Sequence, residues 1–217
     1  MEDNVIAPPR RRPGRPENPI PRSELVRVAR DQFAAHGYDG VSMAEIAKHA
    51  GLQKSSLFHH FPTKAELYRA ALESVLAEGG AVVAQWMSDK VSPWSVRLDN
   101  MAMGVTRAIA EPARARLLLR EFMTAAGNRE GGDAIQQIIA VVVAFFEDGA
   151  AAGAWPRANF RQHALSQLGM HLVFFGFPEV TARTLGVADV FAPEVVDARA
   201  QEVARHVRQM MGAVGGK

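Results

Sequence analysis

Between Ser42 and Lys64 the chain reads SMAEIAKHAGLQKSSLFHHFPTK, and these 23 residues leave little choice of backbone. Ser42 and Glu45 stand at the spacing of a capping box, in which hydroxyl and carboxylate each satisfy a backbone N–H at the opening of a helix. Met43, Ile46, Ala47 and Ala50 then recur at helical spacing and give that short helix one apolar side. Gly51 supplies the positive φ of a tight turn at little steric cost. From Lys54 to Phe61, Leu57 and Phe61 are spaced to anchor inward, which leaves Lys54, Ser55, Ser56, His59 and His60 facing out. Pro62 stops this second helix, because it has no N–H and clashes with the preceding turn. Thr63 and Glu66 repeat the capping-box spacing and start another helix at once. Upstream, Ser23 is placed to cap a helix with Leu25, Val28, Ala29 and Phe33 on one face, ending at His36, Gly37 and Tyr38. Three short helices before a long one, with glycine between the second and third, spell a helix-turn-helix.

A chain of 217 residues with 48% hydrophobic content can bury a core without covalent staples. It contains no cysteine, which excludes disulfides, thiolate metal sites and a cysteine redox switch, and fits a reducing cytoplasm. The longest apolar run, Ile138 to Phe146, is far short of the roughly 18 residues of a membrane span. The N-terminal arginines have no apolar segment behind them, so they do not read as a secretory signal. The expectation is a cytoplasmic protein with no membrane segment. Net charge is only +2, but its distribution is uneven. Residues 1–70 hold 11 Lys and Arg against 8 Asp and Glu, whereas the remainder is slightly acidic. Arg10, Arg11, Arg12 and Arg15 lie in a segment, PPRRRPGRPENPIP, too rich in proline and glycine to be helical. Residues 1–21 are therefore expected to form a basic arm.

The residues Phe33, Gly37, Tyr38, Gly40, Val41, Ser42, Ile46, Ala47, Ala50 and Gly51, followed by LFHHFPTKAEL over Leu57–Leu67, resemble the N-terminal domain of TetR-type transcriptional regulators. The pattern covers residues 23 to 70 without gaps. Two positions depart from it. Gln53 stands where a small hydroxyl residue commonly caps the recognition helix, and Phe58 stands where a tyrosine commonly contacts phosphate. Phe58 is accordingly assigned to packing. The resemblance implies an all-α fold: an N-terminal three-helix helix-turn-helix domain, taken as residues 22–68, followed by a helical ligand-binding and dimerisation domain over 69–217.

In a helix-turn-helix the second helix lies in the major groove while the first crosses the backbone. Gln53, Ser55, Ser56 and His59 are the candidates for base-edge contact there, since amide, hydroxyl and imidazole groups match the donor and acceptor pattern, and His60 is a further candidate for DNA contact. Lys48, Lys54 and Lys64 suit phosphates, which set register without reading sequence. Thr63 joins the candidate interface at the start of the next helix, whose N-terminus offers backbone N–H groups to a phosphate, and Ser42 is a further candidate. The arm has two readings: a Gly-Arg-Pro hook for a narrow minor groove, or a basic tail that raises nonspecific affinity. His59 and His60 do not read as a metal site, because consecutive helical residues point about 100° apart.

Beyond Thr63 apolar residues recur at three and four, without strand alternation. Helices are expected over 63–87, 93–110, 112–126, 133–152, 160–176 and 193–212, with a short turn at 181–185. Gly79-Gly80 should mark a kink or a close approach. Apolar stripes run along the last two long helices, Leu165, Leu168 and Leu172 on one, Val196, Val203, Val207 and Met210 on the other. The resemblance implies that these pair with their symmetry mates in a dimer suited to a palindromic operator. Trp86, Met101, Val105, Phe122, Met123, Phe145, Phe146, Phe174 and Phe175 supply bulky interior side chains, with Arg120, Gln167 and His171 as polar anchors, and together they form the candidate pocket for a small, mostly apolar effector. No phosphate loop, HExxH, GxSxG or convergent carboxylate pair is present, so no catalytic role, metal or cofactor is expected. The reading is a ligand-responsive regulator, a repressor released from its operator by the effector. A constitutive or architectural DNA-binding protein, with these aromatics as plain core, is the alternative.

Overall fold

The computed structural model of the chain describes residues 20–123 and 132–212, and among them are ten α-helices and no strand. They are α1 (Arg22–His36), α2 (Met43–His49), α3 (Lys54–His60), α4 (Lys64–Ser88), α5 (Trp94–Ile109), α6 (Pro112–Met123), α7 (Gly132–Ala151), α8 (Phe160–Gly176), α9 (Pro178–Leu185) and α10 (Pro193–Met210). The Ser42 box forms as its spacing requires: Glu45 N donates to Ser42 Oγ at 3.2 Å and Ser42 N to Glu45 Oε2 at 2.7 Å. These bonds hold the Glu45 carboxyl below its ordinary pKa. At Thr63 only the hydroxyl half of the expected box forms, with Glu66 N donating to Oγ1 at 3.1 Å. Ser23 is not a cap. Pro21 occupies that position, and Ser23 lies inside the first turn.

Gly37 and Gly51 take φ of 78° and 67°, so each ends its helix in a conformation other residues adopt only with strain. Gly79 and Gly80 behave differently from the expectation. The long helix α4 runs unbroken through them, and a Cβ at either would meet open space. The expected turn at 181–185 is a helix of eight residues, opened by Pro178 in its first turn and closed by Gly186 in the left-handed region.

Two apolar cores organise the chain. The first gathers Leu25 and Phe33 of α1, Ile46 of α2, Leu57 of α3, Phe61, and Leu67 and Val75 of α4, and continues into Leu117 of α6 and Phe175 of α8. It crosses position 68 without interruption, so the helix-turn-helix and the helices behind it share buried surface. The second core joins Trp86, Leu98, Met101, Phe145, Phe146, Trp155, Phe160, Val203 and Val207. Glycine makes both of its tryptophan contacts possible: a Cβ on Gly104 would lie 2.0 Å from the Trp86 ring, and one on Gly149 would lie 1.9 Å from that of Trp155. Trp155 Nε1 donates to the Phe146 carbonyl at 2.8 Å.

α10 packs along α5, with Arg208 on Asp99 at 2.6 Å and Arg107 on Asp197 at 2.9 Å along the edges. Val203 and Val207, expected on a dimer face, are fully buried in this packing, and Met210 packs against the same core. Their stripe is amphipathic because of α5, a partner within the chain. Leu172 and Val196 pack half-buried against the first core.

His171 of α8 is fully buried, and neither ring nitrogen has a hydrogen-bond partner among the described residues. Burial, with the Arg199 charge adding to it, pushes its pKa down to about 3. The imidazole is therefore neutral in the folded chain at any physiological pH, while in the unfolded chain it titrates near the ordinary 6.5. Between those values the unfolded state binds the extra proton, so stability falls as pH is lowered from about 6.5, approaching about 1.4 kcal/mol per pH unit from this residue.

Two stability measurements follow from this packing. Urea titrations of His171→Leu between pH 7 and pH 4 should show a shallower pH dependence than the parent by about one proton, with equal or higher stability at pH 7 because an unsatisfied polar ring has been removed. Gly104→Ala should lose about 1–3 kcal/mol in the same assay, since its methyl group displaces the Trp86 indole.

Candidate nucleic-acid interface and interior cavity

Leu57, fully buried, fixes α3 to the core, and the rest of that helix is presented outward. Gln53, Lys54, Ser55, His59 and His60 are exposed and Ser56 is half-buried. Gln53 stands at the N-cap but makes no side-chain cap bond, so its amide is not committed to the helix. Phe58 was expected to pack and instead is 38% exposed, with Lys54 Nζ 5.6 Å from its ring centre. Its apolar ring thus belongs to the outer face, one turn from Lys54. Lys48 is exposed near the end of α2, and Lys64 sits over the Tyr38 ring at 4.6 Å. Ser42 and Thr63 spend their hydroxyls on the caps of α2 and α4. The rings of His59 and His60 meet edge to face, 5.9 Å apart, and among the described residues no cluster of three metal-ligating side chains occurs. Arg10, Arg11, Arg12 and Arg15 lie outside the described residues.

Behind this head, α4 to α8 surround an apolar cavity of about 80 Å³. Trp86, Val105, Phe122 and Gln167 line it, as the sequence suggested. Leu168, expected at a dimer face, lines it too. Val75, Leu76 and Gly79 of α4, Ile109 of α5, Arg114 and Leu118 of α6, and Ile138, Ile139 and Val142 of α7 complete most of the wall. These were not singled out in the sequence, although Gly79 carried a signal: a glycine that neither kinks its helix nor touches a neighbour leaves volume where a side chain would be. The other expected lining residues stand elsewhere. Met101 is one layer back, where its Sδ accepts from Gln167 Nε2 at 3.6 Å. Phe145 and Phe146 are locked in the second core with Trp94 and Trp155. Phe175 stacks on Phe191, Phe174 lies under the Arg199 guanidinium, and His171 is one turn beyond Gln167. Met123 is 73% exposed.

Arg120 has a different role from the one assigned to it. Its Nε and Nη2 donate to the carbonyls of Ala34 and Ala35 at 3.2 and 3.1 Å, closing the C-terminal end of α1. Gly37 lies against the same guanidinium, and a Cβ there would approach Nη1 to 2.8 Å. Beside it, Tyr68 donates to Glu121 in a buried contact, and Tyr68 also meets Phe33 and Tyr38 edge to face. A third link is Glu78, which takes Arg30 of α1 at 3.3 Å on one oxygen and Arg114 of α6 on the other. Arg114 is a cavity wall and Arg30 belongs to the head, so one carboxylate joins the two sites.

The family model for bacterial regulatory proteins of the tetR family matches residues 25–71. The transcriptional repressor AcnR of Corynebacterium diphtheriae is 34% identical over 64 residues, 30% of this chain and 34% of that protein. The transcriptional activator FasR of Mycolicibacterium smegmatis is 42% identical over 60 residues, 26% of this chain and 27% of that protein. The chain thus spans about a third or less of these relatives' lengths. AibR, solved in complex with isovaleryl coenzyme A and operator DNA, has the same fold at a TM-score of 0.67 and 17% identity, over 89% of this chain and 99% of that one. The match is centred on the capped α2, the Gly51 turn and the outward α3, so residues 25–71 carry the pattern of bacterial regulatory proteins of the tetR family.

Proposed function

We propose that this chain is a DNA-binding transcriptional regulator that acts as a dimer, represses at a palindromic operator, and is released when a small, mostly apolar molecule enters the cavity between α4 and α8. The outward face of α3 carries the reading: a helix fixed by one fully buried leucine presents amide, hydroxyl, imidazole and ammonium groups with none of the hydroxyls spent on its own cap. Such groups suit the base edges and phosphates of the major groove. A relative that represses and a neighbour of the same fold that holds an acyl thioester together with DNA support the regulatory part.

Release requires that ligand favour one pose of the head over another, since a ligand with equal affinity for both shifts nothing. The links for such a preference are the wall of α4 and α6, the Arg114–Glu78–Arg30 bridge, and the Arg120 clamp on α1. For pairing, α8 offers Leu165, Gly169 and Val173 along one outer stripe, with Val180 exposed on α9. These positions take the place of Val203 and Val207, which the chain's own core uses.

Selection of bound sequences from a random DNA pool should return two half-sites centred about one helical turn, or a multiple of it, apart. Against that site, Ser55→Ala should lose specific affinity by about 1–3 kcal/mol while random DNA is little affected, whereas Lys54→Ala should weaken both and lower the salt dependence by about one ion. A pool that returns no enriched site would refute operator binding. Light scattering should give a dimer for the parent and a monomer for Leu165→Glu/Val173→Glu; a monomeric parent would rule out the paired arrangement.

A further inference from the structure

Arg97, near the start of α5, is 6% exposed, and among the described residues no carboxylate forms an ion pair with it. Its guanidinium stacks on the Trp94 ring, with Cζ 3.7 Å from the ring centre, and lies 5.7 Å from that of Phe145. Stacking occupies the face of the group and leaves its N–H edges unspent. None of these N–H groups has a hydrogen-bond partner among the described residues, yet only Nε is sealed from solvent. The two terminal nitrogens therefore keep accessible surface, and Arg97 stands in the wall of a groove of about 500 Å³ between α4 and α5. Gln85, Asn100 and Arg107, all exposed, share that wall with Asp89. The place in the helix makes the charge costlier still: the first turn of α5 has no acidic residue, and the helix dipole there favours an anion over a cation. The other charges of the groove are already engaged. Asp197 holds Arg107 at 2.9 Å. Asp89 Oδ1 accepts from the backbone N–H groups of Ser92 and Val91 at 3.0 and 3.1 Å, bonds that keep its carboxyl below the ordinary pKa and hence ionised.

We propose that this groove is a second ligand site, for a small organic monocarboxylate whose two oxygens accept from the terminal nitrogens of Arg97. The site is separate from the apolar cavity, and it does not rest on the release mechanism above. With Nε sealed, the guanidinium offers its end, where paired N–H groups match the two oxygens of a carboxylate. Stacking on Trp94 fixes the plane of the fork beforehand, so little side-chain freedom is lost on binding. Asp89 selects for a single charge: one unpaired cation beside one ionised carboxylate accepts a monoanion and repels a dianion. A neutral amide turns an N–H group toward a donor and leaves one of the two unmet. Water can accept from the same N–H groups but brings no charge, and a buried cation is compensated in full only by an opposite one.

Benzoate, benzamide and phenyl phosphate share a ring and differ in the head group, which at about pH 7.5 carries one negative charge, none, and nearly two. Each is titrated into the full-length chain, in a buffer free of other carboxylates, and followed by NMR at the Trp94 indole. That indole stacks on Arg97 and is no part of the apolar cavity wall, so a molecule lodged in the cavity does not produce the signal. Benzoate should saturate the site and bind about tenfold or more tightly than either of the others. Arg97→Met keeps the length of the side chain and should remove saturable benzoate binding, with a thermal melt confirming the fold. Asp89→Asn keeps an oxygen for the Val91 and Ser92 N–H groups and removes the charge, so the lead of benzoate over phenyl phosphate should shrink about fivefold or more. Because it leaves Arg97 in place, this variant reads the site even where Arg97→Met does not fold. Equal affinity for benzamide, equal or tighter binding of phenyl phosphate to the parent, benzoate binding retained in a folded Arg97→Met, an unchanged ratio in Asp89→Asn, or no saturation by benzoate would overturn the assignment.

Discussion

The C-terminal end of α1 is closed from the other half of the molecule. A helix leaves its last carbonyls without intrahelical donors, and here two of them, Ala34 and Ala35, are taken by the guanidinium of Arg120, 86 and 85 positions away. The planar fork of arginine suits this task, since it reaches adjacent acceptors with one side chain and places positive charge at the negative end of the helix dipole. Gly37 completes the arrangement, because its positive φ turns the chain away and its missing Cβ leaves room for the guanidinium. The orientation of α3 depends on this joint. α3 has only seven residues and is held by Leu57 within a core built on α1, so the pose of α1 against α6 fixes the direction in which α3 points.

That joint also connects α3 with a cavity none of whose lining residues belongs to α1, α2 or α3. α6 contributes Arg114 and Leu118 to the cavity wall and, two turns and half a turn on, Arg120 and Glu121 to the clamp. α4 contributes Val75 and Gly79 to the same wall and Glu78, between them, to the bridge. Two of the five helices that line the cavity are thus also the two that grip the head. Packed interfaces of this kind switch between discrete arrangements more readily than they deform, so sub-ångström adjustment at the wall can be passed to α1 as a change of pose. The bridge is partly exposed at Glu78, where solvent weakens an ion pair. The buried contact of Tyr68 with Glu121, sheltered beside Phe33, is the stiffer of the links.

What could be read from the chain alone was whatever is decided within a few residues. The Ser42 box, the Gly51 turn, the stop at Pro62 and the limits of α8 are local events, and each formed where the spacing placed it. Arg120 was legible as a polar side chain on an interior helix but not as a clamp, because its partners lie in another domain of the sequence. Val203 and Val207 show the complementary limit. Their stripe announced a buried face, yet periodicity carries no information on whether α5 or a second chain covers it. Ser23 lost its cap position to Pro21, whose fixed φ opens a helix without any side-chain bond.

Gln167 and His171 illustrate how the same residue class divides by what surrounds it. Both lie on one face of α8, one turn apart, and both keep polar atoms without partners among the described residues. His171 is sealed in, and the cost of charging it there keeps it neutral and inert to pH in the physiological range. Gln167 borders the cavity, but its oxygen is as buried as the imidazole. An amide cannot gain or lose a proton to relieve its burial, so it keeps that cost at every pH.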